Sequence, residues 1–281
     1  MEHPVKPDAR IKVKMSEYKE KKTCQILENK EIASGIFSMM VNAEDIAKNA
    51  MPGQFCSLYC ADGARLLPRP ISICDADKEN GTVRFVYRVV GSGTKEFSAL
   101  PRGYEIKILG PLGNGYKIEE GACHAVLFGG GVGIPPLLFL AKTLKSKGIK
   151  VTSVLGYRSA DTFLTKEFET CSDLIISTDD GSLGIKGTVI DAARKSDLSS
   201  ESDITDIMAC GPIPMLKGVK AFGREKDIRT QISMEERMAC GIGVCLGCVI
   251  KTTEIDKHSK VKNARVCKDG PVFPASLVDL G

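Results

Sequence analysis

Along residues 82–90, TVRFVYRVV, apolar side chains return at every second position, so that Val83, Phe85, Tyr87 and Val89 share one face. A period of two belongs to a strand with one side against a core, because successive strand side chains point to opposite faces. Similar short runs stand on either side: IFSMMV at 36–41, QFCSLYC at 54–60 and YEIKIL at 104–109. Gly, Pro and Asp turns separate them. Such spacing predicts a small antiparallel β barrel over residues 21–120.

Near residue 121 the pattern changes. AVLFG at 125–129 is apolar throughout, as in a strand covered on both faces, and the helical stretch LLFLAKTLKSK follows. Then come VTSVLGYR, a helix near 162–170, LIIST at 174–178, a helix near 188–196, DIMACG, a helix through 214–226, and RTQIS at 229–233. Alternating strand and helix predict an α/β unit with a parallel sheet over residues 121–232. Residues 1–20 read as a polar tail, and residues 233–281 as a small C-terminal cysteine-rich unit.

Composition narrows the classes. Apolar residues make up 43% and charged residues 26% of 281, an ordinary globular balance. A formal charge of +4, with Lys19, Lys21 and Lys22 interleaved with Glu17 and Glu20, gives no basic face for nucleic acid. No apolar run reaches the roughly 18 residues of a membrane span. The start, MEHPVKPDAR, lacks the apolar centre of a signal peptide, so a cytoplasmic location is expected. The three histidines, His3, His124 and His258, have no neighbours that suggest a nucleophile or base, and structural or solvated roles are expected for them.

The cysteines change the picture. Seven of the eleven (Cys24, Cys56, Cys60, Cys74, Cys123, Cys171 and Cys210) lie singly in apolar or strand-like settings, where a thiol acts as a small hydrophobe. The other four cluster as Cys240-GIGV-Cys245-LG-Cys248 and Cys267. C-x4-C-x2-C with a distant fourth cysteine is the spacing of plant-type [2Fe–2S] sites. Three ligands on one tight loop wrap two irons, and the fourth closes the cage. Gly241, Gly243 and Gly247 allow that loop its backbone angles and bring N–H groups toward the sulfurs. A structural zinc is the rival, although zinc sites usually pair two C-x2-C hooks and only one is present.

Upstream, Arg69-Pro70-Ile71-Ser72 offers a guanidinium fork suited to a pyrophosphate, a stiff backbone and a hydroxyl. Val86-Tyr87-Arg88 ends a strand, and Gly93 and Thr94 sit in a glycine turn leading into the helical stretch KEFSAL, a natural phosphate cradle. Gly130, Gly131 and Gly133 follow a strand and precede a helix with Pro135 near its start. Cys210 and Gly211 fall at the carboxyl end of another parallel strand, where such sheets bind ligands. Taken singly, each segment is also compatible with ordinary turn glycines.

In this order the segments resemble the ferredoxin–NADP reductase superfamily and, within it, the electron transfer subunits of class 1B dihydroorotate dehydrogenases. The resemblance runs over residues 23–281 through RPISI, YRVVGSGTK, GPLGNGY, FGGGVGIPPLL, TDDGSLGIKGTV, ACGPIPML and ERMACGIGVCLGCVIKT. It implies FAD on Arg69, Pro70, Ile71, Ser72, Val86, Tyr87, Arg88, Gly93 and Thr94. It implies NAD at Gly130, Gly131, Gly133, Cys210 and Gly211, with Cys210 toward the nicotinamide, and a [2Fe–2S] cluster on the four cysteines. It further implies an FMN-containing catalytic partner in a heterotetramer with two copies of each subunit. The activity implied is electron transfer from that FMN through the cluster and FAD to NAD+, in the pyrimidine route to UMP. The small subunits of NADH-dependent ferredoxin:NADP oxidoreductases and sulfide dehydrogenases look similar, but commonly carry aspartate where this chain has Cys240. A stand-alone NADH diaphorase and a zinc-stabilised redox sensor remain as alternatives.

Overall fold

The computed structural model describes residues 20–196, 198, 201–256 and 260–281. All of the expected polar tail except Glu20 lies outside the described residues, as do His3 and His258.

Six strands close the barrel: β1 (Lys21–Ala33), β2 (Ile36–Asn42), β3 (Phe55–Tyr59), β4 (Arg69–Asp77), β5 (Thr82–Arg88) and β6 (Glu105–Leu112). Their order around it is β1-β2-β5-β4-β3-β6, every pairing antiparallel. Strand β1 closes the ring by pairing with β6 through its first residues and with β2 through the rest. The alternation in β5 holds: Val83, Phe85 and Tyr87 are buried among Met39, Val41, Ile73 and Ile108. Helix α1 (Glu44–Asn49) caps one end with Ile46 and Ala47, and α2 (Ser92–Ser98) drives Phe97 into the barrel, edge-on to Tyr87. The helix at KEFSAL thus begins earlier than its apolar residues suggest, at Ser92.

The second unit is a sheet in the order β10-β9-β8-β7-β11-β12-β15. Its strands are β7 (His124–Gly130), β8 (Lys150–Tyr157), β9 (Asp173–Thr178), β10 (Ile185–Lys186), β11 (Asp206–Cys210), β12 (Arg229–Ser233) and β15 (Val272–Pro274). All pair in parallel except β15, which runs antiparallel to β12. Helices α3 (Ile134–Ser146), α4 (Thr165–Glu169), α5 (Val189–Lys195) and α6 (Ile213–Glu225) make the crossovers. Helix α4 is shorter than the 162–170 stretch expected. Leu164 before it takes a left-handed backbone (φ 64°), and the Phe163 carbonyl accepts the Tyr157 hydroxyl at 2.7 Å.

Helix α3 joins the two units. It buries Leu137, Leu138, Leu140 and Ala141 against the sheet, while Phe139 enters the barrel core. Two ion pairs flank this seam: Arg84 on β5 with Glu167 at 2.7 Å, and Lys142 on α3 with Asp75 on β4. On the other face, Phe222 of α6 meets Phe128 edge-on, with ring centroids 5.8 Å apart.

The C-terminal residues carry the hairpin β13 (Val249–Lys251) and β14 (Asn263–Arg265) and end in β15. Cys248, Val266 and Cys267 share one core with Phe55 and Leu112 of the barrel and with Ile207 and Ile232 of the sheet. Strand β12 therefore ends the parallel-sheet unit in sequence but not in space, since β15 extends its sheet. His124 lies at the amino end of β7, fully buried, with Nε2 2.9 Å from Thr152 and Nδ1 3.1 Å from Asp203 and from Glu201. It is structural, as expected. Cys123 departs from the expectation of buried thiols: it is exposed.

Candidate functional site

Strands β4 and β5 bring Arg69-Pro70-Ile71-Ser72 beside Val86-Tyr87-Arg88 along one wall of a cleft of about 360 Å³. Thr94 joins the same wall. Its hydroxyl accepts the N–H groups of Val90 at 3.0 Å and Gly91 at 3.2 Å and donates to the Gly91 carbonyl, which fixes the turn into α2. A Cβ at Gly93 would lie 2.4 Å from Arg69 Nε. The glycine therefore leaves room for a guanidinium over the first turn of α2, where backbone N–H groups lack helical partners. Cation and free N–H groups together fit a pyrophosphate. Tyr87 is committed inward: its hydroxyl donates to Asn29 Oδ1 at 3.3 Å, and burial pushes its pKa well up.

A second cleft, of about 630 Å³, opens at the carboxyl ends of β7 and β11. Strand order reverses there, the crevice where sheets of this kind bind nucleotides. Gly130, Gly131, Gly133 and Gly211 line it, with Pro212. A Cβ at Gly133 would lie 2.3 Å from the Cys210 carbonyl oxygen, so α3 starts in direct contact with the end of β11. Cys210 stands apart from these glycines. It is 1% exposed, its thiol lies behind the wall, and burial first, then the charge of Glu235, pushes its pKa up.

Arg88, Val132 and Glu235 line both clefts, which therefore meet. Desolvation where the clefts meet raises the Glu235 carboxyl above its ordinary value, although the residue as a whole is exposed. Only Arg88 of the three stood out in the sequence. Val132 is hidden in the glycine run, and Glu235 precedes the cysteines in a polar stretch with no periodic or spacing signal. Met238 and Pro271 complete the first cleft on the cysteine side.

The four cysteines gather at one place: Cys240 interacts with Cys245, and Cys267 with both Cys248 and Cys240. Among the described residues, the one group of three or more ligand atoms within 4.8 Å of one another is His124, Glu201 and Asp203. Gly241 and Gly243 adopt left-handed angles (φ 68° and 89°) that a side chain would oppose. The loop so bent aims the N–H groups of Val244 (3.3 Å) and Cys245 (3.4 Å) at Cys240 Sγ, and that of Gly247 (3.4 Å) at Cys245 Sγ. Burial raises the Cys240 pKa, but the N–H groups of Ile242, Val244 and Cys245 and the Cys245 thiol outweigh it and bring the Cys240 thiol to about 6. Cys267, buried against Cys248, is pushed up to about 12. N–H groups gathered on sulfur are what a thiolate-bound cluster requires.

Residues 235–279 match the iron-sulfur cluster binding domain of dihydroorotate dehydrogenase B. The dihydroorotate dehydrogenase B (NAD(+)) electron transfer subunit of Fusobacterium nucleatum is 40% identical over 262 residues, covering 92% of this chain and 98% of that one. Its counterpart from Listeria monocytogenes serotype 4a is 42% identical over 259 residues, covering 91% and 98%. Among solved structures, the one reported for NADH-dependent reduced ferredoxin-NADP oxidoreductase and flavin-based electron bifurcation superposes with a TM-score of 0.82 at 33% identity, covering 92% of this chain and 90% of that one. A ferredoxin reductase of carbazole 1,9a-dioxygenase, at 18% identity and a TM-score of 0.64, shares the fold. The chain uses FAD, a [2Fe–2S] cluster and NAD, and it belongs to the family of electron transfer subunits of the NAD+-linked dihydroorotate dehydrogenase B.

Proposed function

We propose that this chain carries electrons from an FMN-containing catalytic subunit, which oxidises dihydroorotate, to NAD+. Cys240, Cys245, Cys248 and Cys267 would hold the [2Fe–2S] cluster. FAD would lie on Arg69, Pro70, Ile71, Ser72, Val86, Tyr87, Arg88, Gly93 and Thr94, and NAD on Gly130, Gly131, Gly133 and Gly211. Cys210 backs that last wall with its carbonyl. Residues 21–120, 121–232 and 233–281 would be the flavin, nucleotide and cluster units. The bound groups supply one-electron transfer at the cluster and exchange between one- and two-electron chemistry at the flavin. The chain's residues hold them in line and keep water from the joint.

The observation that carries this reading is the continuity of the sites. Arg88, Val132 and Glu235 border both clefts, and Met238 and Pro271 extend the flavin cleft toward the cysteines. At the far end Cys245 is exposed, ringed by outward Ile242, Val244 and Leu246, 48%, 75% and 64% exposed. Exposed apolar side chains around a redox loop suit a partner subunit, and two copies of each chain would complete the assembly in the cytoplasm. No helix among the described residues is long and apolar enough to cross a membrane.

The small subunit of an NADH-dependent ferredoxin:NADP oxidoreductase is a second reading, favoured by the 33% identical structure. The higher identity to dihydroorotate dehydrogenase subunits weighs against it. Purified alone with its cofactors, the chain should oxidise NADH with an artificial acceptor and leave dihydroorotate untouched. Added FMN subunit should confer dihydroorotate:NAD+ turnover. Turnover of dihydroorotate by the chain alone would overturn the two-subunit relay.

A further inference from the structure

Strand β3 alternates. Cys56 and Leu58 point into the barrel core, while Phe55 and Tyr59 pack in the core shared with the cysteine segment. Ser57 lies between them on that outer face, 1% exposed, and is the polar member of an otherwise apolar row. Its neighbours across the strands are Leu109 on β6 and Pro70 in the flavin segment. Among the described residues its hydroxyl has no hydrogen-bond partner.

A buried hydroxyl without a partner is destabilising, and alanine would fill the place without that cost. What the hydroxyl faces explains it. A Cβ at Gly241 would lie 2.9 Å from Ser57 Oγ, with Leu112 and Phe55 at 3.8 and 4.0 Å. Ser57 therefore sits against the start of the cysteine loop, one residue from Cys240. Ser153 and Ser177 are also unpartnered, but they belong to strands β8 and β9 of the parallel sheet. No cysteine of the cage adjoins them in sequence.

We propose that Ser57 donates its hydroxyl hydrogen to a sulfur of the cluster on its Cys240 side and thereby raises the cluster's reduction potential. The proposal rests on the cluster's being held by the four cysteines. Reduction adds negative charge that spreads over the sulfurs, and a donor aimed at one of them stabilises the reduced form more than the oxidised form. Ser57 is thus a positioning residue supplied by the flavin barrel rather than by the cysteine loop. It ties the cluster's potential to the strand that pairs with Pro70.

The test is a potentiometric titration of the cluster in the FAD- and iron-loaded chain, followed by electron paramagnetic resonance. Ser57→Ala should shift the midpoint to more negative potential at unchanged iron content. Ser57→Thr and Ser57→Val differ from each other in the hydroxyl but hardly in shape, so Thr should stay near the wild-type midpoint while Val shifts as Ala does. Should Ala not retain iron, the Thr–Val pair decides. In deuterated water, a deuteron coupled to the reduced cluster should be present in wild type and Thr and absent in Ala and Val. Equal midpoints in Thr and Val, or an unshifted midpoint in Ala, overturn the proposal. A wild-type chain with no two-iron signal would instead overturn the cluster assignment.

Discussion

The guanidinium of Arg69 occupies the space that a side chain on Gly93 would need: a Cβ there would stand 2.4 Å from Nε and 2.7 Å from Cζ. The pair couples strand β4 to the start of α2. Gly93→Ala should therefore drive the arginine off the helix start. FAD should bind roughly ten- to a hundredfold more weakly, the worth of a charge-assisted hydrogen bond of about 1.5–3 kcal/mol. Flavin fluorescence on dilution measures this, and iron content should be unchanged.

Gly133→Ala tests the second cleft. Its methyl group would meet backbone, the carbonyl of Cys210, which cannot swing aside as a flexible side chain could. Helix α3 must then move off β11, at a cost of about 1–3 kcal/mol. We expect a lower melting temperature and a higher KM for NADH. An unchanged KM would mean that the α3–β11 contact does not shape the nucleotide cleft.

Glu235 makes a prediction about pH. Desolvation of its carboxyl raises the folded-state pKa, so the folded protein binds this proton more tightly than the unfolded chain does, by an amount that solvent screening keeps small because the residue as a whole is exposed. Stability from this group is complete below its ordinary pKa and is lost as pH rises through the folded value. In cofactor-free protein, Glu235→Gln should resist urea slightly better than wild type at pH 7 to 8, and this small advantage should vanish toward pH 5. A constant advantage at every pH would assign the effect to something other than the carboxylate.

Removing iron should loosen one loop and leave the sheets. Ile242, Val244 and Leu246 point outward, so the residues from Cys240 to Gly247 have little apolar core of their own. Strand β15, by contrast, is held by pairing with β12 and by buried Phe273. Hydrogen exchange in apoprotein should rise by orders of magnitude across 240–247, while the amides of 230–233 and 272–273 stay protected.

Much of this was written locally in the chain. In β5 every second residue meets the core, and the cysteine spacing is the one that two irons would impose. Both can be read without knowing what lies across the fold. Strand β1 could not, because only Cys24 and Ile26 of its thirteen residues are buried and its pattern is mostly polar. Nor could β15, a three-residue strand whose existence depends on a free edge made by β12. The same reasoning separates the site residues. Arg69 and the glycines announce themselves by chemistry. Glu235 and Ser57 are ordinary residues made significant by what folds against them, and no spacing rule finds them.

The pairing of Val272–Pro274 with Gln231–Ser233 has a consequence for assembly in the cell. The chain leaves one sheet edge after β12, builds the cysteine cage, and returns to that same edge. During synthesis, all four cysteines emerge from the ribosome before the strand that pins them. Until then the cage is tethered at one end only, on a loop rich in glycine. Iron delivery to the nascent chain would meet a half-anchored site, and delivery after β15 has docked a finished one. Cage and sheet edge thus form one unit of assembly: whatever frees Val272–Pro274 from β12 also releases the cysteine segment at its far end.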